Sequence, residues 1–172
     1  MDIKEIILEL KRHDDRHFKE FYDLTKKQVY FSAISIVNSS YVADDIVQDT
    51  YVNFLKNIDS FDEKRNVFAY LSTIARNLSI NYYNKNKREI IDDEYVSTTK
   101  DEEKDIYAEQ RVKDILSLLD NETEREVITY HVILEYKFKD IASIIDKPLG
   151  TVLWIYNKAI KKLQERMKNY EN

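Results

Sequence analysis

The stretch Phe138-Lys139-Asp140-Ile141-Ala142-Ser143-Ile144-Ile145, followed by Asp146-Lys147-Pro148-Leu149-Gly150 and then Thr151-Val152, decides how this chain is read. It carries the only proline and the only glycine of the whole sequence. Those two residue types are the strongest local punctuation a chain has. The segment therefore predicts a short helix, a turn holding Pro148 and Gly150, and a longer helix capped by Thr151. Ala142 is small enough for the two helices to pack closely. Such a helix-turn-helix lays its second helix in the major groove of duplex DNA, with its N-terminal turns toward base edges. An ordinary helical hairpin is the alternative.

Spending both punctuating residues in one place constrains everything else. Phosphate-cradling loops and dinucleotide folds need several glycines where backbone meets phosphate, so P-loop and Rossmann sites are excluded. Sheet-rich folds draw heavily on Gly and Pro for turns. The remaining loops must use Asn, Asp and Ser, which predicts an all-α chain. At 172 residues this makes one large domain or two small ones. The absence of Cys excludes disulfide scaffolds and Cys-based zinc sites. Met1-Asp2-Ile3-Lys4-Glu5 is too charged for a signal peptide, and no apolar run nears the ~18 residues of a membrane span. A soluble, cytoplasmic protein is expected.

Hydrophobic spacing reads as helix nearly throughout. Ile3, Ile6, Ile7 and Leu10 form one stripe. A longer helix starts near Phe18 and runs to Val37, ending at Asn38-Ser39-Ser40. A third helix turns Val47, Tyr51, Phe54, Leu55 and Ile58 inward. A loop from Asp59 to Asn66 leads to a fourth helix from Val67 to about Lys87, with Leu71, Ile74, Leu78 and Tyr82 on one face. Between 89 and 107 the pattern gives way to acidic residues, which reads as a flexible linker. Periodicity resumes with Val112, Ile115, Leu116 and Leu119, and Asn121 or Thr123 would cap the helix after that. The expected organisation is a domain at 1–88, an acidic linker at 89–107 and a second domain at 108–172.

Charge follows the same division. The net charge of −5 conceals a stretch from 64 to 88 with six basic and no acidic residues, and another from 150 to 172 at +3. Between them, residues 89–126 carry a net −9. Local charge governs where a polyanion is held, so two sites are expected, flanking a segment that repels nucleic acid. The first basic stretch places Lys64, Arg65 and Asn66 in a loop and Arg76, Asn77 and Tyr82 on a helix, with Phe68, Tyr70 and Tyr83 interleaved. Cations tracking phosphates beside aromatics and amides is the pattern of single-strand binding; Tyr70 itself is expected to lie in the core. On the third helix Asp45, Gln48 and Asp49 share one face; such a polar stripe is ordinarily just solvated, and it is also a surface that could dock a basic partner helix.

Enzyme chemistry finds little footing. No nucleophile elbow or His-Glu motif is present. His13 and His17 have the spacing of a metal pair, but no second pair exists and Asp14, Asp15 and Arg16 mark an exposed face. His131 lies in an apolar stretch with no evident partner and reads as structural. No cofactor, metal or catalytic residue is expected.

Taken in order, these constellations resemble the bacterial RNA polymerase sigma factors of the extracytoplasmic-function (ECF) type within the sigma-70 family, over residues 15–88 and 108–168. Ala43-Asp44-Asp45-Ile46-Val47-Gln48-Asp49-Thr50-Tyr51 resembles the part of region 2 that binds the clamp helices of the β′ subunit. Leu71-Ser72-Thr73-Ile74-Ala75-Arg76-Asn77 resembles the part that recognises and opens the −10 element, where a loop like 61–67 captures a flipped base. Asp140-Ile141-Ala142 with Pro148 to Val152 resembles the region 4 helix-turn-helix that reads the −35 element.

The resemblance implies two helical domains, region 2-like and region 4-like. It implies a promoter-specificity subunit partnered by core polymerase (β′ clamp helices and β flap), promoter DNA and an anti-sigma factor. Core binding would use Asp45, Gln48, Asp49 and Asn53. The melted −10 strand would meet Lys64, Arg65, Asn66, Arg76, Asn77 and Tyr82, and the −35 duplex Thr151, Leu153, Trp154, Asn157, Lys158, Lys161 and Lys162. Two departures stand out. Tyr70 occupies a usual Trp position. The recognition helix reads Leu153-Trp154-Ile155-Tyr156-Asn157-Lys158, with Ile160 for another usual Arg, so bidentate Arg–guanine pairs have no donor there. What remains is thymine-methyl contact, Asn157 toward adenine and lysines toward phosphate; the alternative is that Leu153 and Trp154 face a protein. A sigma-like regulator without −35 reading and a helix-turn-helix repressor are the rival functions.

Overall fold

The structure, a computed structural model, describes residues 1–86 and 103–170, and every regular element among them is helical. The helices are α1 (Ile3–Lys11), α2 (Phe18–Val37), α3 (Ser40–Lys56), α4 (Val67–Lys85), α5 (Glu103–Ser117), α6 (Glu122–Ile128), α7 (Phe138–Ile145) and α8 (Leu149–Tyr170). A short 3-10 turn at Ile58–Ser60 follows α3, and a turn of π spacing at Thr129–Ile133 follows α6. The chain forms two compact units, one built on α1, α2, α3 from Val42 onward and α4, and the other on α5 to α8 together with residues 38–41. Most of the segment read as a linker, 89–102, lies outside the described residues, as do Lys87 and Arg88. Its final residues, from Glu103, already belong to α5.

The first unit is held by rings. α2 and α4 pack side by side, and Phe54 of α3 is fully buried against both. Its ring lies 5.2 Å from Phe21, 5.7 Å from Phe61 and 6.1 Å from Tyr70. Burying aromatic side chains this completely is worth several kcal/mol in aggregate. The Thr25 hydroxyl donates to the Phe21 carbonyl at 2.8 Å, so its oxygen accepts from the Tyr51 hydroxyl at 2.6 Å. Burial pushes the Tyr51 phenol pKa up. Val47 and Tyr51 face inward as expected, whereas Leu55, expected inward, is exposed on the far side of α3. His13 and His17 are not a helical pair: His13 takes a left-handed φ of 61° in the turn after α1, and His17 Nδ1 meets the Glu9 carboxylate at 2.5 Å.

The second unit packs Leu116, Leu119, Ile128, Ala159 and Leu163 at its centre. Asn121 caps α6, accepting the Glu124 N–H at 3.1 Å. His131 has the structural role expected of it, and its partners are now defined. Its ring stacks on Phe138 at 3.9 Å, meets Tyr156 edge-on at 4.9 Å, and Nδ1–H donates to the Tyr136 carbonyl at 2.9 Å. Arg166 ties the end of α8 to the Leu118 carbonyl and to Asp120.

The turn between α7 and α8 corrects the sequence reading. α8 begins at Leu149, so Gly150 lies inside its first turn and Thr151 is its third residue, not its cap. The left-handed residue is Asp146, at φ 53° and ψ 54°. A short polar side chain tolerates that conformation better than most, so glycine is not required there. The Ala142 carbonyl accepts from both Asp146 and Lys147 N–H, which closes α7. Pro148, just before the helix, contributes its carbonyl to the Val152 N–H at 3.1 Å. Gly150 has no positive φ, and a Cβ there would meet nothing within 4 Å. Gly150→Ala is therefore expected to stabilise the second unit by up to about 1 kcal/mol, read as a higher denaturation midpoint at unchanged m-value.

Candidate nucleic-acid interface

Three surfaces collect the site residues, two on the first unit and one on the second. On α3, Asp45, Gln48, Asp49 and Asn53 are all exposed, while Ile46, Val47, Thr50, Tyr51 and Phe54 are buried on the opposite side. The sequence reading did not anticipate the apolar part of this face. Val52 and Leu55 are exposed and fall in register with Asp45 and Gln48, at successive three- and four-residue steps. Apolar residues at helical spacing normally signal core, and only the buried set beneath them shows that these do not. α3 thus presents acid, amide and apolar groups together.

The second surface is the loop from Phe61 to Asn66 and the helix it starts. Phe61 is buried, an anchor against Phe54 and, at 4.7 Å, Tyr70. Asp62 folds the loop locally: its carboxylate accepts the Lys64 N–H and its carbonyl the Arg65 N–H, both at 2.9 Å. Glu63 reaches Lys11 of α1 at 2.8 Å, a contact that lowers the Glu63 pKa. Asn66 ends the loop as the cap of α4, its side-chain Oδ1 accepting from Phe68 and Ala69 N–H at 3.0 and 3.4 Å. Lys64, Arg65 and Asn66 are exposed on this preformed frame, and the Arg65 guanidinium lies 5.5 Å from the centre of the Tyr70 ring. Tyr70 is half-buried: one part packs in the core as expected, and the rest supports Arg65.

Farther along α4 the predicted residues separate. Asn77 is exposed and shares the Tyr70 side of the helix by its seven-residue spacing. It stands about 16 Å beyond Asn66 along the helix axis, at ~1.5 Å per residue. Arg76 is half-buried, and Tyr82 packs against the core of its unit. The structure therefore gathers Lys64, Arg65 and Asn66 around Tyr70 and continues the same face to Asn77. Arg76 and Tyr82 belong to other faces.

The third surface is the outer face of α8. Val152, Ile155, Ala159 and Leu163 are buried, leaving Leu153, Trp154, Asn157, Lys158 and Lys161 outward and Thr151 half-buried. Leu149, which the sequence pattern places in the turn, is also exposed, one turn of α8 before Leu153. Trp154 is 62% exposed, and the Lys158 ammonium sits 5.0 Å from its ring centre. Lys162 is different. Its ammonium donates to both carboxylate oxygens of Glu124 at 3.0 Å, and Lys158 comes within 3.9 Å of the same group.

Both units resemble known proteins. Residues 21–89 match the Sigma-70 region 2 family. The ECF RNA polymerase sigma factor EcfG of Rhodopseudomonas palustris is 33% identical over 135 residues, covering 76% of this chain and 74% of the relative. The ECF RNA polymerase sigma factor SigW of Bacillus subtilis is 27% identical over 98% of each chain. Among solved structures, the sigma factor RpoE from Bartonella quintana, in complex with the anti-sigma factor NepR, superposes with a TM-score of 0.72 at 28% identity, covering 89% of this chain and 98% of that one. CnrH, solved with the cytosolic domain of CnrY, shares the fold at a TM-score of 0.73 and 22% identity, over 98% of this chain and 99% of its own. A region 2 unit followed by a helix-turn-helix unit defines a sigma-70-type transcription initiation factor. The chain belongs to the ECF RNA polymerase sigma factors.

The loop geometry can be tested directly. Asn66→Ala is expected to cost about 1 kcal/mol in chemical denaturation through loss of the α4 cap, and Asn66→Asp to retain most of it.

Proposed function

We propose that this sigma factor binds core RNA polymerase through α3, seats single-stranded −10 DNA on the 61–66 loop and the adjacent face of α4, and places α8 on the −35 duplex. The observation that carries this reading is the preformed loop. Its backbone is fixed by Phe61, Asp62 and the Asn66 cap before any ligand arrives, so binding there orders the Lys64 and Arg65 side chains but need not order the loop backbone. Arg65 over Tyr70 offers a cationic, planar surface on which an unstacked base can lie. Asn77, farther along the same face, suits a neighbouring nucleotide.

For α3 the support is its mixed face. Asp45 and Asp49 suit a basic partner helix, and Val52 and Leu55 supply apolar contact such as interface centres use. For α8 the support is charge: no carboxylate occurs between Leu149 and Gln164, so its exposed side complements phosphate. Base reading would come from Leu153 and Trp154 on thymine methyls and Asn157 on adenine, favouring an A·T-rich −35 element. This role needs no catalytic residue or cofactor and is carried out in the cytoplasm; no helix among the described residues is long and apolar enough to cross a membrane. An anti-sigma factor is the expected controlling partner, since RpoE and CnrH were both solved bound to partner proteins.

Run-off transcription with purified core polymerase tests the whole reading. The chain is expected to support initiation from its own promoter; a protein that only sequesters a partner, or that represses an independently initiated transcript, would overturn it. Asp49→Lys should weaken capture of core polymerase by tenfold or so while leaving the circular dichroism spectrum unchanged. Arg65→Ala should leave core binding intact but slow open-complex formation, scored by permanganate reactivity of −10 thymines.

A further inference from the structure

Glu124 is an unusual place to find a carboxylate. It sits in the first turn of α6, only 2% exposed, yet it is a charged group that burial penalises unless partnered. Both partners come from α8. Lys162 donates two hydrogen bonds to it, and Lys158 is shared between it and the Trp154 ring. No other lysine on α8 is so engaged: Lys161, between them in sequence, is exposed and makes no ion pair among the described residues. Lys158, Lys161 and Lys162 thus divide into one that projects freely, one held on Glu124, and Lys158, which is largely exposed and lies at the edge of that contact.

That division has a direct consequence for how α8 would treat DNA. Contacts to phosphate supply affinity without sequence information, and each ammonium that neutralises a phosphate adds to both nonspecific binding and salt sensitivity. An ammonium already satisfied by a buried carboxylate loses that stabilisation on moving to a phosphate, and leaves the carboxylate buried and unpaired. We propose that Glu124 is a specificity-determining residue of the DNA-facing unit. It withholds Lys162, and partly Lys158, from the phosphate backbone, so that discrimination rests on the base-edge contacts of Leu153, Trp154 and Asn157. The proposal rests on the reading that α8 meets duplex DNA.

Promoter binding by holoenzyme, measured as log K against log salt concentration, tests it with three variants. Lys161→Met, which removes the freely projecting ammonium, is expected to flatten the slope by about 0.9. Lys162→Met should leave the slope unchanged, because that ammonium makes no phosphate contact. Glu124→Gln should steepen it by about 1 to 2 and lower the ratio of promoter to −35-scrambled affinity roughly threefold or more. A purely structural tie between α6 and α8 would lower the denaturation midpoint of Glu124→Gln without moving the salt slope, and that result overturns the proposal. Flattening by Lys162→Met equal to that of Lys161→Met overturns it too, independently of whether Glu124→Gln is stable. If Lys161→Met also leaves the slope untouched, the placement of α8 on DNA falls first and the role of Glu124 with it.

Discussion

A chain with a single glycine must still end its helices, and the backbone carbonyls at each end need partners. Here the reversals fall at residues that pay a steric cost to make them. His13, Asn38, Glu135 and Asp146 all take left-handed φ angles between 50° and 61°, and none is glycine. A non-glycine residue in that region costs on the order of 1 kcal/mol. Asn38 closes α2 and Asp146 closes α7; His13 and Glu135 make the turns after α1 and after the π-spaced turn. The cores of both units are built largely from aromatic side chains: Phe54 with Phe21, Phe61 and Tyr70 in one, His131 with Phe138 and Tyr156 in the other.

That constraint also explains which parts of the fold could be read from the residues. Helix periodicity in α2, α3 and α4 was plain because their buried sets, such as Val29, Ala33 and Val37, repeat at helical spacing. The use of Asn and Asp in turns was legible at Asn38 and Asp146. His13 and Glu135 carried no such signal, since neither residue type favours a left-handed conformation strongly enough to stand out. The turn before α8 was misread for an instructive reason. Gly150 is the chain's strongest turn signal, but Pro148 fixes the approach to the helix and Asp146 takes the left-handed position, so the helix starts before the glycine. Leu55 and Val52 escape a sequence reading because hydrophobicity alone cannot tell a buried stripe from an exposed one.

The candidate nucleic-acid surfaces divide the same way. That Lys64 and Arg65 open a basic, acid-free stretch follows from composition. That the loop is internally braced does not, because its bracing comes from Phe61 beneath it, an Asp62 turn and the Asn66 cap acting together. The lysines of α8 show the opposite case. Sequence places Lys158, Lys161 and Lys162 in one basic cluster, and only a contact with Glu124, 38 residues away from Lys162 in the chain, sets them apart. Long-range pairing of this kind leaves no local pattern.

The face of α3 combines two kinds of contact with different kinetic meanings. In the proposed complex, Asp45 and Asp49 act at a distance and govern how quickly the sigma factor and the polymerase find each other. Val52 and Leu55 act only on touching, and govern how long the two stay together. Ionic strength screens the first and leaves the second nearly untouched. A sigma factor built this way competes for a shared polymerase chiefly through its rate of capture when salt is low, and chiefly through its dwell time when salt is high.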